Sequence, residues 1–128
     1  MKLTAGNFGE CGSMNAFFVD TVKYNDTGIA TGEVIFTAPA PMIITQVCVD
    51  VTTAFNAGTT NVLTIGTNSD VDNICGSSDI AETKGQSTKP VFVQLKKGDK
   101  IKVKYAQTGT DASAGEADIF FIGTQSPE

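Results

Sequence analysis

The stretch PVFVQLKKGDKIKVKYAQ, residues 90–107, leaves the backbone few solutions. Val91, Val93 and Leu95 recur at every second position, and so do Ile101, Val103 and Tyr105, alternating with Lys100, Lys102 and Lys104. A period of two places each apolar set on one face of an extended chain, whereas on a helix the same residues would scatter around the axis. Gly98-Asp99 between the runs is turn chemistry and predicts a hairpin that joins them. Such a chain must build a sheet with one face toward a core and another toward water.

The remaining sequence repeats this theme with less regularity. FFVDTVKY (Phe17 to Tyr24) is a first strand with Phe18, Val22 and Tyr24 on one face, although Asp20 shares their parity. EVIFTAP (Glu33 to Pro39) is a second, stopped by PAP, because proline removes a ladder donor and restricts the residue before it. In MIITQVCVDVTTAF (Met42 to Phe55), Ile43, Val47, Val49 and Val51 share one parity and read as core. NVLTIGT (Asn61 to Thr67) is short, with apolar residues of both parities. A long connection, Asn68 to Gln86, carries weaker strand pieces at Val71–Ile74 and Asp79–Thr83. ADIFFIG (Ala117 to Gly123) closes the series, its Phe120-Phe121 pair suggesting cover on both faces.

Short strands separated by turn residues, without the spacing of strand–helix–strand units, predict an all-β antiparallel sandwich of about eight strands. A jelly roll is the favoured topology, since the immunoglobulin Cys…Trp…Cys spacing is absent. With 128 residues the chain suits one domain with a real core. The expected division is an N-terminal arm over 1–15, the sandwich over 16–123 and a tail over 124–128.

Charge and residue types narrow the chemistry. The chain has fourteen acids against nine basic residues, for a formal charge of −5. All nine bases are lysine. Without arginine, and with an acidic balance, nucleic acid is an unsuitable partner. No apolar run approaches the roughly 20 residues of a membrane span, and the N-terminal MKLTAGNFGECGSMNAFFVD does not resemble a signal peptide. Histidine is absent, which removes the common general base, the Ser-His-Asp and Cys-His arrangements and the usual zinc sites. Paired carboxylates among Asp20, Asp50, Asp70, Asp72, Asp79 and Asp118 remain conceivable, but their spacing sets no two across a cleft. No catalytic, cofactor-binding or metal-binding residues are assigned, and no cofactor is expected.

Cys11, Cys48 and Cys75 form no CxxC pair. Free thiols are expected, with a Cys48–Cys75 bridge the one alternative. In NSDVDN (Asn68 to Asn73), Asp70 and Asp72 could offer oxygen to calcium, but the remaining roles of an EF-hand loop are missing; two acids capping a turn explain them as well. Lys96, Lys97, Lys100, Lys102 and Lys104 concentrate the positive charge. They read as a solvated strand face or as a stripe for an acidic protein partner. The sequon Asn25 to Thr27 carries no weight without a secretion signal. The loops NAGTTN (Asn56 to Asn61) and TGTDASAG (Thr108 to Gly115) would be contact tips of a sandwich.

The segment VCVDVTTAFNAGTTNVLTIGTNSDVDN, followed by PVFVQLKKGDKIKVKYAQTGTDASAGEADIFFIG, resembles small structural proteins of tailed bacteriophages. The resemblance covers about Phe36 to Gly123 and leaves CGSMNAFF unmatched. It implies a β-sandwich component of the virion without enzyme activity, assembled in the host cytoplasm. The expected role is a head decoration or auxiliary protein that binds the major capsid protein or another virion protein and is homo-oligomeric in the particle. The alternatives are a tail or neck structural protein and a carbohydrate-binding module. The last is poorly served by a chain without Trp and with only Tyr24 and Tyr105.

Overall fold

The computed structural model describes residues 14–125, with side chains from residue 19 onward. Seven strands follow in order: β1 (Met14–Lys23), β2 (Glu33–Thr37), β3 (Met42–Thr53), β4 (Thr60–Thr67), β5 (Gly85–Leu95), β6 (Lys100–Thr108) and β7 (Glu116–Gln125). They form two antiparallel sheets, one ordered β1-β7-β3-β5 and the other β2-β6-β4. Odd strands make one sheet and even strands the other, so every connection crosses the sandwich. The all-β sandwich expectation holds, with seven strands among the described residues instead of eight. Residues 1–13 of the expected arm and 126–128 of the tail lie outside the described residues; β1 already begins at Met14, and β7 reaches Gln125.

One core fills the space between the sheets. Ile44, Val47, Val49 and Val51 of β3 and Ala117, Ile119 and Phe121 of β7 face Leu63 and Ile65 of β4 and Ile101, Val103 and Tyr105 of β6. All are buried, as the two-residue period on β6 requires. Phe36 meets Phe121 edge-on across the core, with ring centroids 6.1 Å apart.

Three sequence expectations change. The turn after β5 is not a hairpin, because β5 pairs with β3 while β6 lies between β2 and β4. The turn itself is tight: Asp99 N–H donates to Lys96 C=O at 3.0 Å, and Asp99 Oδ2 accepts the Lys96 N–H at 2.9 Å. Its other backbone groups bond to Ala38, through Gly98 N–H to Ala38 C=O and Ala38 N–H to Asp99 C=O, both 2.8 Å. That clamp directs the chain onto the opposite sheet. Alternation revealed which face is buried but not which strand lies beside it.

The second change concerns β3. A bulge at Thr45, between Ile44 and Gln46, resets the two-residue phase. Ile44 is therefore fully buried, and Ile43, expected in the core, is only half-buried. A similar bulge at Val19 in β1 explains the imperfect alternation around Asp20; Val19 and Tyr24 both pack against the core beside buried Val22.

Third, Val71–Ile74 and Asp79–Thr83 are not strands. The connection makes turns, with a single isolated bridge between Ile65 and Cys75. Polar side chains divert it: Asn73 Oδ1 accepts the Thr67 N–H at 2.8 Å, and Asp79 Oδ2 accepts the Gly76 N–H at 2.7 Å. Ile74, Cys75 and Ile80 still reach the core. The loop lies so close to β4 that a Cβ on Gly66 would overlap the Asp70 carbonyl oxygen.

The bulge at Thr45 makes the two neighbouring isoleucines unequal. Ile44→Ala is expected to lower the unfolding free energy by about 2–5 kcal/mol, as large-to-small changes in a packed core do. Ile43→Ala should cost clearly less. Urea denaturation of both variants measures the difference, and equal losses would contradict the bulged register.

Candidate functional site

The two Thr/Gly/Asn loops, about fifty residues apart in the chain, meet at one end of the sandwich. Asn56 joins them: its Oδ1 accepts from Ser113 N–H at 2.8 Å and Ala114 N–H at 2.9 Å, and its Nδ2 donates to Ser113 Oγ at 3.1 Å. Gly58 N–H donates to Thr110 C=O at 2.8 Å, and Thr59 N–H to Thr108 C=O at 3.0 Å. A Cβ on Gly58 would crowd the Thr110 backbone at 2.9 Å, so glycine is what lets the loops touch.

Asn61 ties this end to the core. Its Oδ1 accepts both the Ala57 N–H, at 2.8 Å, and the buried Tyr105 hydroxyl, while its Nδ2 donates to Ala57 C=O at 3.2 Å. The Tyr105 ring lies 4.8 Å from that of Phe55, and Phe55 in turn packs where a Cβ on Gly115 would be. Thr59, Thr60, Thr108, Thr110 and Ser113 remain exposed. The result is a preformed, polar, almost uncharged end, with little ordering left to do on contact.

The Asp/Asn loop is organised around its own backbone. Asn73 bonds Thr67 through both ends of its amide, and Asn68 Oδ1 accepts the Lys100 N–H at 3.1 Å. Asp70 Oδ1 accepts the Asp72 N–H at 3.3 Å. The Asp70 carboxylate beside Asp72 raises the latter's pKa. Among the described residues no three His, Cys, Asp or Glu side chains converge as metal ligands.

The other acids are separated. Asp50 and Asp118 sit opposite one another in the β3–β7 register, on the outward face of their sheet, and Asp118 accepts a 2.6 Å bond from Thr21 Oγ1. Asp79 accepts from Lys89 Nζ at 2.7 Å, which holds its carboxyl below the usual range. Lys89 also donates to Ile74 C=O at 2.9 Å and so pins the long connection to β5. Cys48 and Cys75 are free thiols. Burial pushes Cys75 up to about 11 and also raises Cys48, leaving neither primed as a nucleophile at neutral pH.

Lys100, Lys102 and Lys104 project from the outer face of the three-stranded sheet, opposite the inward Ile101, Val103 and Tyr105. Val34 of β2, paired with Lys102 and 43% exposed, shares this face. The other exposed large apolar residue is Phe92, at 71%, on the edge strand β5. Sequence reading missed Val34 and Glu33, and it placed Asn56 and Asn61 in a contact loop without their bonding roles. The two asparagines bracketing AGTT were the available signal for the wired end.

Glu33 has a half-buried carboxyl, with Oε1 inaccessible and without a hydrogen-bond partner. Desolvation, followed by the nearby Asp26 and Asp20 carboxylates, raises its pKa to about 7.

No protein-family model matches this sequence. No curated protein matches it either. Among solved structures, a chain of the cyanophage Pam1 capsid asymmetric unit is similar, with a TM-score of 0.67 and 14% sequence identity. The match covers 98% of this chain and 94% of that one. At this identity it establishes a shared sandwich fold across almost the whole length of both proteins.

Asn61→Ala would strand the Tyr105 hydroxyl and the Ala57 N–H. Each unsatisfied buried group costs about 1–3 kcal/mol, so urea denaturation should show a marked loss. Adding Tyr105→Phe should cost less in the Asn61→Ala background than in the wild type, a coupling that a double-mutant cycle measures.

For Glu33 the folded pKa is raised, so the bound proton stabilises the fold below about pH 4.5, and that contribution is lost as pH rises through about 7. Glu33→Gln should match the wild type in melting temperature at pH 4 and exceed it at pH 8. Melting curves across this range test the assignment; equal melting temperatures at pH 8, or a wild-type advantage there, would contradict it.

Proposed function

We propose that this chain is a non-enzymatic structural protein of a phage particle, a decoration or auxiliary protein that binds the major capsid protein and stabilises or extends the head surface. The observation that carries the reading is the end-to-end fold likeness to a chain of a cyanophage capsid. The resemblance of Phe36 to Gly123 to small tailed-phage structural proteins points the same way. On this reading the protein resides in the virion, is homo-oligomeric there and contacts capsid subunits.

Strand order supports a jelly roll. The sequence alternates strictly between the sheets, and the Ile65–Cys75 bridge lies on the free side of β4, where a fourth strand of the smaller sheet would pair. On this reading the long connection stands in that place, pairing with β4 through one bridge.

A cryo-electron reconstruction of the particle tests the role. Density for this chain at capsomer centres or capsid three-fold positions is expected. Occupancy confined to the neck or tail would overturn decoration in favour of a neck or tail component, and absence from the particle would overturn the virion role.

A further inference from the structure

We infer that the outer face of the three-stranded sheet is the docking face of the subunit, and that it meets an acidic surface on a different protein. The inference rests on the virion role proposed above and identifies which face is turned toward the partner.

The ion pair formed among the described residues is Lys89–Asp79, between β5 and the long connection. Lys96, Lys97, Lys100, Lys102 and Lys104 have no carboxylate oxygen within 4.0 Å among the described residues. Five of the nine lysines thus collect without close carboxylate partners on and beside one strand of a protein with net charge −5. The nearby carboxylates keep their charge, but none lies within pairing distance of these lysines. Asp99 is occupied in the turn, bonding the Lys96 N–H, and Asp70 bonds the Asp72 N–H. Asp72 senses Lys104 electrostatically without a close pair.

An apolar element lies within this field. Val34 stands directly across from Lys102. Behind them a Cβ on Gly32 would meet Val71 Cγ1 at 3.1 Å and Lys102 Cδ at 3.5 Å, so the lysine stem runs along apolar neighbours. A row of lysines on the central strand, with an exposed valine on the edge strand beside it, offers charge and apolar area together, and the positive sign specifies acidic residues opposite.

The one facing pair of acids on a sheet surface of this chain is turned the other way. Asp50 and Asp118 lie on the outward face of the four-stranded sheet, which points away from the lysine face. Copies stacked lysine face to acid face would present the same two surfaces again and extend without closure. A separate acidic partner avoids that open-ended stacking.

Zero-length carbodiimide cross-linking of intact particles, read by mass spectrometry, tests this directly, because it joins lysine Nζ only to a carboxylate in contact. Amide links from Lys100, Lys102 or Lys104 to Asp or Glu of another virion protein are expected. Links from these lysines only to acids of a second copy, or links only from Lys23, Lys84 and Lys89, would overturn the inference while leaving the virion role intact. Absence of the chain from the particle overturns both. As a second measurement, the variant K100E/K102E/K104E should bind particles lacking this chain about tenfold more weakly or worse. The K84E change, at an exposed lysine off this face, should leave binding unaltered. Equal binding by the triple variant and the wild type would also overturn the inference.

Discussion

No strand of this sandwich hydrogen-bonds along its length with the strand before or after it in the chain. Each turn delivers the chain to the opposite sheet, so ladder partners are always remote in sequence. β1 and β7, at the two ends of the described chain, are direct neighbours. Local hairpins therefore contribute nothing to holding the sheets together. The core between the sheets must supply the common attraction, and each strand depends on apolar residues contributed from distant segments. Such a topology meets the loop-closure cost before most of its contacts reward it, which favours slow, highly cooperative folding.

Crossing connections also explain where the polar bonding is concentrated. A chain that passes from sheet to sheet leaves backbone groups at the ends of the sandwich that neither ladder satisfies. Ala38 resolves this at the Gly98–Asp99 turn, while Asn56 and Asn61 resolve it at the opposing Thr/Gly loops. Asn61 links the two levels, accepting from a loop N–H and a core tyrosine together. The Thr- and Asn-rich composition that looks chemically quiet in the sequence is the material that closes these ends.

The β6 strand was legible throughout because it contains no bulge and its outward lysines contrast strongly with its inward residues. β3 was legible as a strand but misread in its first half, since Thr45 adds one residue and nothing in MIITQ distinguishes a bulge from plain alternation. The expected hairpin failed for a related reason. Gly98-Asp99 specifies a reversal, whereas the partner of each flanking strand depends on contacts with Ala38 and β3. The meeting of Asn56 with Ser113 and Ala114 was equally hidden, because pairwise closeness across the fold has no local signature. The lysine concentration was visible in sequence; the exposed Val34 beside it required the β2–β6 register.

The distribution of polar groups separates the tasks of folding and contact. Side-chain hydrogen bonds close the ends, Lys89 fixes the long connection, and Cys48 and Cys75 remain unbridged. The lysines of β6 perform none of these tasks. Their inward neighbours already hold the strand in the core, so the outward positions tolerate almost any polar residue on structural grounds. Like charges crowded along one strand repel one another and oppose the compact state slightly. The sign of this face is therefore set by its surroundings in solution or in contact, and the core beneath it does not dictate that sign.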